Sequence, residues 1–273
     1  MKSICVIGCG WLGTPLASFF VKSGYKVLGT TTSESKVSEL TEKGIGASVF
    51  RLGSDEASLP RADVYIINIP PSQIDDYPDK LRKLMNSFPS DVDQILFCST
   101  TSVYADEEKT VTEQDVHPGQ SLDSSETDEA RHGTPRSVLL EAEGIMAAHP
   151  KTTILRLAGL IGGKRHPIKF LSGKKGLKKP QAPVNIIHRN ELIATIATLV
   201  DLQTVGEVFN VCASKHPTRM EYYTTIARKS GLPLPEFDES DLSSGKLIDS
   251  SKIQQHVGLS LTQIDLRISD SDN

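Results

Sequence analysis

The stretch Ile4-Cys5-Val6-Ile7-Gly8-Cys9-Gly10-Trp11-Leu12-Gly13 decides the fold of this chain. It joins an apolar, strand-like run to three glycines with the spacing GxGxxG, and a helix-like run from Pro15 to Lys22 follows. In such a turn the first glycine lets the backbone leave a strand sharply, the second lets a pyrophosphate approach the main chain, and the third lets the helix pack against the sheet. The N–H groups at the start of the helix then face the anion. A second strand-like run, Lys26 to Thr31, completes the context, so the pattern predicts a dinucleotide-binding turn rather than a glycine-rich turn that binds nothing.

Further cofactor contacts are expected next to this turn and at the ends of two later strands. Trp11 either shields the phosphates or covers the edge of the sheet. Proteins that choose NAD place an acid after the second strand, where it bonds the ribose 2′-hydroxyl, whereas this chain has hydroxyls there and Lys36, which suits a 2′-phosphate. We therefore predict NAD or NADP as the cofactor, with a lean to NADP. The contacts predicted from these positions are Gly8, Gly10, Trp11, Leu12, Gly13, Thr31, Thr32, Asn68, Ile69 and Pro70.

Short β-branched runs alternate with amphipathic segments along the chain, which is typical of a parallel α/β sheet. The later strand-like runs are 47–52, 63–69, 94–104, 152–161, 184–188 and 206–211. The helix-like segments between them are 34–43, 75–88, 135–148, 190–202 and 218–230. The fold class predicted from this alternation is a Rossmann-type, doubly wound α/β sheet with a smaller, interleaved C-terminal substrate lobe.

The regular alternation stops after Ile161 and resumes at Val184, which sets the predicted domain limits. We predict a nucleotide-binding domain at 1–159, to which 184–215 return. The smaller lobe would contain 160–183 and 216–262, and 263–273 would form a polar tail.

Composition and charge exclude several classes of protein. The chain has 273 residues, a formal net charge of −4 and a sequence pI near 6.0. These values argue against a nucleic-acid binder, which usually carries a basic excess. The four cysteines are scattered without metal-ligand spacing, and no run approaches the roughly 20 apolar residues of a membrane span. We therefore expect a cytoplasmic protein, monomeric or homodimeric, that binds a small-molecule substrate and neither metal, nucleic acid nor membrane.

Two charged segments of opposite sign stand out. The segment 106–129 contains nine acids and one lysine, and the segment 164–179 contains seven Lys or Arg and no acid. The basic segment would either attract an anionic substrate or form an ordinary solvated surface loop. The acidic segment is interpreted as a flap over the site.

Four later motifs carry a family resemblance. The runs ILFCSTTSVY (95–104), ILRLAGLIG (154–162), VNIIHRNE (184–191) and VFNV (208–211) resemble segments of the extended short-chain dehydrogenase/reductases, the NAD-dependent epimerase/dehydratase group. With GKRHP (163–167) and HPTR (216–219), the pattern is most similar to the YeeZ-like branch of that superfamily. The resemblance covers about residues 1 to 260 and implies a Rossmann lobe with an interleaved substrate lobe.

The resemblance also implies site residues. The family's catalytic hydroxyl falls on Thr100, next to Ser99, which is assigned to the cofactor. The stretch that borders the nicotinamide in that family falls on Ala158, Gly159 and Leu160 of this chain.

The family's Tyr-x-x-x-Lys pair is missing, since no lysine has a tyrosine four positions before it. An imidazole at His132 beside Arg136 could replace it, or Arg136 could bind only a ribose or a phosphate. Tyr104 could donate a proton or only support its strand. Arg165 and His166 are predicted substrate contacts, although a His-Pro pair is often only a turn.

Two hypotheses of function follow. The chain is an oxidoreductase or epimerase-like enzyme that acts on a small, possibly anionic carbonyl, hydroxyl or nucleotide-sugar-type metabolite with a degenerate Tyr-x-x-x-Lys site. Alternatively, it is a non-catalytic regulatory protein that senses NAD(P)H. The sequence leaves both open.

Overall fold

The fold was analysed in a computed structural model that describes residues 2–54, 59–72, 74–123, 128 and 134–264. The strands formed by these residues are β1 (Ser3–Ile7), β2 (Lys26–Thr31), β3 (Gly46–Val49), β4 (Val64–Ile67), β5 (Gln94–Thr100), β6 (Thr110–Val111), β7 (Thr152–Leu157), β8 (Gly159–Ile161), β9 (Ile186–His188), β10 (Val208–Val211) and β11 (Leu247–Ile248). The α-helices are α1 (Gly13–Lys22), α2 (Glu34–Glu42), α3 (Tyr77–Ser87), α4 (Arg136–Ala147), α5 (Ile168–Leu171), α6 (Arg189–Asp201), α7 (Arg219–Lys229) and α8 (Ser251–Val257). Among the described residues, no helix combines the length and the apolar composition that a membrane crossing requires.

A seven-stranded sheet with the order β10-β7-β5-β4-β1-β2-β3 forms the centre of the fold. Strand β1 pairs in parallel with β2 on one side and with β4 on the other, and β2–β3 and β4–β5 are parallel too. The chain therefore crosses over on both sides of β1, which makes the carboxyl ends of β1 and β4 a topological switch point where open α/β sheets bind ligands. This confirms the predicted Rossmann-type class.

Burial explains why the central strands are continuous apolar runs. Every residue of β4 and of the segment Ile4–Ile7 in β1 is buried, as expected for parallel strands covered by helices on both faces. Helix α1 covers this sheet with Leu16, Ala17 and Phe20, which follow the helical spacing of an apolar stripe. The sheet core thus fixes the position of the turn between β1 and α1.

One predicted strand is divided in the structure. The run 152–161 was expected to be a single strand, but β7 ends at Leu157 and β8 begins at Gly159. The division occurs because Ala158 N–H still bonds Val211 O at 3.0 Å, whereas Gly159 N–H bonds Asn185 O at 3.1 Å. Strand β8 therefore pairs with β9 in a separate two-stranded sheet. The short elements α5, β6, β11 and α8 were not predicted.

The chain divides into two compact units. The first unit contains Met1–Val103, Val116–Arg156 and Ile196–Phe209, and the second contains Tyr104–Asp115, Leu157–Thr195 and Asn210–Asn273. A buried cluster around Ile168, Val184, Tyr222 and Ile226 forms a core within the second unit. The domain limits predicted from the sequence, including a return of 184–215 to the nucleotide domain, stay a prediction.

Candidate functional site

Two of the three glycines in the turn Gly8–Gly13 are required by the fold itself. Gly8 has φ +99°, and a Cβ atom there would lie 2.6 Å from Asn68 O. A Cβ atom on Gly13 would lie 2.2 Å from Gly8 O. Both distances are far below a van der Waals contact, so any side chain at these positions would force the backbone to move.

Gly10 is different, because neither its conformation nor its packing requires a glycine. Its φ lies outside the left-handed region, and a Cβ atom there would meet nothing within 4 Å. Gly10 precedes the start of α1, where the first N–H groups of a helix have no acceptor within the helix. Two of these positions are not available to an anion, since Thr14 N–H bonds Gly10 O at 3.0 Å and Pro15 has no N–H. Open space against bare backbone at a helix N-terminus fits a phosphate group.

Hydrogen bonds from two neighbouring strands hold the turn in place. Cys9 N–H bonds Thr30 O at 2.7 Å, and Gly8 N–H bonds the Thr30 hydroxyl at 3.1 Å. The side-chain amide of Asn68 donates to Gly8 O at 3.3 Å. Burial raises the pKa of the Cys9 thiol to about 11, so this cysteine is a protonated packing residue. Asn68 therefore supports the turn, and its predicted contact with the cofactor ribose stays a prediction.

The end of β2 has the predicted hydroxyls and, beside them, a cation that the sequence did not predict, Arg51. The Thr31 hydroxyl accepts a bond from Ser33 N–H at 3.3 Å, and Thr32 is exposed. Arg51, which follows β3, donates from Nη2 to Thr32 O at 2.7 Å. Because β2 and β3 are parallel neighbours, the segments that follow them lie at the same edge of the sheet. This pairing brings Arg51 to Thr32, after the strand end where Lys36 was expected to act.

The end of β5 contains the predicted Ser99 and Thr100. The Thr100 hydroxyl accepts a bond from Ser102 N–H and donates to the Ser102 hydroxyl, both at 3.2 Å. The Ser99 hydroxyl donates to Glu143 Oε1 at 2.6 Å. Glu143 in turn pairs with Arg156, and both side chains are completely buried. The sequence carried a signal for this pair, since Arg156 interrupts the apolar run of β7 and Glu143 falls on the apolar stripe of α4 with Leu139 and Met146.

The loop after β4 carries the predicted Ile69 and Pro70. The Tyr77 hydroxyl donates to Ile69 O at 3.0 Å, which fixes this loop against α3. An open pocket of about 420 Å³ lies further along the loop, between the starts of α3 and α4. Its lining includes Asp75, Asp76, Asp79 and Glu141, so it is poorly suited to a phosphate.

The start of α4 lies in the segment where the sequence resemblance predicts the family's catalytic helix. Arg136 is buried, and its Nε donates to Val103 O at 3.1 Å, which ties the helix to the turn after β5. The carboxylate of Asp128 accepts bonds from the backbone N–H and the hydroxyl of Ser137, and these bonds lower its pKa. His132, the predicted acid or base, lies outside the described residues.

The remaining predicted residues lie in the second unit. Tyr104 is buried, and its hydroxyl donates to Asn210 Oδ1 at 2.7 Å. The ammonium of Lys246 donates to Tyr104 O at 2.6 Å. Ala158, Gly159 and Leu160 lie at the crossing from β7 to β8. The hydroxyl of Tyr104 is thus engaged within the protein. The expectation that Tyr104 ends its strand was wrong, because β5 ends at Thr100 and a 3-10 turn at Thr101–Val103 follows it. The predicted role of Tyr104 as a proton donor stays a prediction.

Arg165 closes a tight backbone turn by exchanging both backbone hydrogen bonds with Gly162, and His166 follows this turn. Arg165 is exposed, whereas His166 is only 4% exposed. His166 Nδ1 accepts from Ile168 N–H at 3.1 Å, and Nε2 lies 3.0 Å from the Tyr222 hydroxyl. Burial lowers the pKa of His166 to about 4. The predicted substrate contact of His166 stays a prediction, and this geometry does not favour it.

The basic segment 164–179 is partly neutralised by acids of the second unit. Lys175 pairs with Glu236, Lys178 with Asp238 and Lys179 with Asp106, at 3.0, 2.6 and 2.7 Å. These pairs favour the surface-loop interpretation for the end of the segment. Among the described residues, no group of three or more His, Cys, Asp and Glu could hold a metal ion.

Solved structures share this fold at low sequence identity. A putative NAD-dependent epimerase/dehydratase from Methylobacillus flagellatus matches with a TM-score of 0.74 and 21% identity, over 97% of this chain and 94% of that chain. A short-chain dehydrogenase/reductase superfamily protein from Agrobacterium tumefaciens, with bound NAD, matches with a TM-score of 0.70 and 15% identity, over 98% and 94%. The chain therefore shares the fold of these solved structures.

Sequence comparison identifies the family. Residues 3–88 match the family described as NADP oxidoreductase, coenzyme F420-dependent. Protein YeeZ of Escherichia coli (strain K12) is 33% identical in an alignment of 273 residues. The alignment covers 94% of this chain and 95% of that protein. The chain belongs to the YeeZ family, which confirms the resemblance drawn from its motifs.

Proposed function

We propose that this chain binds NAD(P) at the carboxyl edge of its central sheet and acts as an oxidoreductase or epimerase-like enzyme on a small carbonyl or hydroxyl metabolite. The observation that carries the proposal is the open space at Gly10, where the fold alone gives no reason for a glycine. A pyrophosphate at the start of α1 supplies that reason. The NAD bound to the Agrobacterium tumefaciens protein of the same fold supports the same ligand class.

NADP is the preferred cofactor in this proposal. The hydroxyls of Thr32 and Ser33 follow β2, Lys36 is exposed nearby in α2, and Arg51 reaches Thr32 O. A guanidinium has five N–H donors in a planar arrangement that matches a phosphate, and Thr32 O uses one of them. No acidic side chain occupies the four positions 30–33, where an NAD-selective protein places its ribose acceptor.

The nicotinamide ring supplies hydride transfer when the cofactor is bound. Thr100, at the end of β5, would turn its hydroxyl proton from Ser102 to the substrate oxygen and hold that oxygen for the transfer. The proton that must accompany the hydride would pass through water, His132 or Tyr104. Lys164, Arg165 and Lys169, which precede the three ion-paired lysines, would attract an anionic group of the substrate.

The test combines cofactor binding with a panel of carbonyl and alcohol substrates followed by NADPH absorbance. Thr100→Ala should lower turnover about 100-fold or more while cofactor affinity stays unchanged, since a positioned hydrogen-bonding group contributes on this scale. Thr100→Ser keeps the hydroxyl and is the matched control. Turnover that survives in Thr100→Ala at the wild-type rate would refute the assigned role.

A second candidate function is an NAD(P)H-sensing regulator. The absence of any Tyr-x-x-x-Lys pair favours it, and so does the engagement of the Tyr104 hydroxyl by Asn210. Tight cofactor binding without turnover across the whole panel would support the sensor over the enzyme.

A further inference from the structure

A fully buried ion pair lies behind the end of β5 in the first unit. Glu143 of α4 and Arg156 of β7 are each 0% exposed, and Arg156 Nη2 lies 2.7 Å from Glu143 Oε2. Arg156 Nε contacts both carboxylate oxygens, at 3.1 and 3.2 Å. Replacing such a buried pair by apolar residues of similar volume is often neutral or stabilising. Stability alone therefore gives a poor account of this pair.

The pair determines how the Ser99 hydroxyl can bond. A carboxylate held by a guanidinium only accepts hydrogen bonds, so Ser99 must donate its single proton to Glu143 Oε1, at 2.6 Å. The Ser99 oxygen keeps its lone pairs and can accept a further bond. Ser99 is only partly buried, so the residue is not wholly enclosed by the core.

Ser99 also lies on the side of the sheet where the nicotinamide half would extend. The sheet order places β2, with its hydroxyls and Arg51, on one side of β1, and β4 and β5 on the other. A dinucleotide whose adenosine lies at the end of β2 and whose pyrophosphate lies at Gly10 therefore directs its other half toward the ends of β4 and β5.

We propose that Glu143 and Arg156 are positioning residues that present Ser99 as a hydrogen-bond acceptor to the nicotinamide half of the cofactor. The donor would be the carboxamide N–H or a hydroxyl of the nicotinamide ribose. This inference rests on the proposed function, because it needs a bound nicotinamide cofactor.

The test compares two probes on the full chain. NADPH would fill both halves of the site, whereas 2′,5′-ADP would fill only the adenosine half. If the wild type prefers NADH, then NADH and ADP serve as the two probes instead. Ser99→Ala should weaken NADPH binding about fivefold, which is the contribution of one neutral hydrogen bond, and leave 2′,5′-ADP unchanged. The double variant Glu143→Leu/Arg156→Met keeps the core apolar and filled, and it should weaken NADPH about two- to fivefold with 2′,5′-ADP again unchanged.

Ser87→Ala is the matched control, since Ser87 is a partly buried serine of the same unit whose hydroxyl donates to Leu84 O at the end of α3. It should change neither affinity. An acetylpyridine analogue of the cofactor, which lacks the carboxamide N–H, identifies the donor. If the carboxamide is the donor, this analogue binds wild type and Ser99→Ala with equal affinity. If the ribose hydroxyl is the donor, the analogue binds Ser99→Ala more weakly than wild type.

Three outcomes would overturn the inference. The first is an equal loss of both probes in Ser99→Ala, which would mark a general structural role. The second is unchanged NADPH binding in Ser99→Ala or in the double variant. The third is a wild-type protein that binds neither probe. This result would overturn the proposed function as well, and it would be known before any variant is made.

Discussion

Gly10→Ala separates the folding role of the turn Gly8–Gly13 from its binding role. Nothing lies within 4 Å of the added Cβ, and the backbone at Gly10 is outside the left-handed region, so the variant introduces no clash and no strain. We expect its free energy of unfolding to stay within about 0.5 kcal/mol of the wild type. For a chain of this size, that change moves Tm by about 2 °C or less.

The same methyl group should greatly weaken cofactor binding. It occupies the space through which the pyrophosphate reaches the backbone N–H groups at the start of α1. A hydrogen bond to a charged group is worth about 1.5–3 kcal/mol, so loss of one such bond raises Kd about 10- to 100-fold. Gly13→Ala is the contrasting variant, because its Cβ would lie 2.2 Å from Gly8 O. It should lower the free energy of unfolding by about 2 kcal/mol or more.

The assay can use the chain's single tryptophan, Trp11, which lies inside the turn. Energy transfer from Trp11 to bound NADPH reports binding at this place, and thermal unfolding of each variant reports its stability. A Gly10→Ala protein that binds NADPH and NADH as tightly as a binding-competent wild type would refute the reasoning. So would a Gly10→Ala protein that unfolds as readily as Gly13→Ala.

Two further predictions concern cofactor choice and acid stability. Arg51→Ala should raise the Kd for NADPH about tenfold and change the Kd for NADH by no more than about twofold, because only NADPH offers a 2′-phosphate to the guanidinium. Arg61→Ala, which removes an exposed arginine paired with Asp91, is the control. Equal losses of affinity for the two cofactors would contradict the assignment. His166 has a pKa of about 4 in the fold against 6.5 when exposed, so the unfolded chain binds the proton first and stability falls as the pH drops from about 6.5 toward 4. Between pH 7 and pH 5, protonation of His166 should lower the free energy of unfolding, measured by urea titration, by about 2 kcal/mol. A His166→Phe variant should lack this part of the pH dependence. An unchanged pH dependence in the variant would show that other groups cause it.

The sequence was sufficient for the features that depend on local pattern. The spacing of Gly8, Gly10 and Gly13 predicted the turn, and the alternation of apolar runs predicted the parallel sheet. The pattern failed at Ala158, where the apolar run continues but the hydrogen-bond partner of the strand changes from Val211 to Asn185. A change of partner has no signature in the run itself.

The missed site residues differ in how far sequence could have found them. Arg51 reaches Thr32 only because β2 and β3 are neighbours, and no spacing along the chain indicates that contact. Arg156, by contrast, interrupts an apolar run, and Glu143 has the helical spacing of the apolar residues Leu139 and Met146. A buried charge needs a partner, so these opposite charges were a usable signal for a pair. Only the fold shows that Ser99 also bonds Glu143.

The choice between enzyme and sensor now depends on the source of a proton. Hydride exchange with a carbonyl or an alcohol changes the charge on the substrate oxygen, so a proton must move as well. The hydroxyls of Ser99 and Thr100 bind and orient but do not titrate near neutral pH, and the Tyr104 hydroxyl is bound to Asn210. Water, His132 and a Tyr104 hydroxyl released from Asn210 are therefore the proton sources of the proposed mechanism. A protein that binds the cofactor tightly while none of the three supplies a proton would be the sensor.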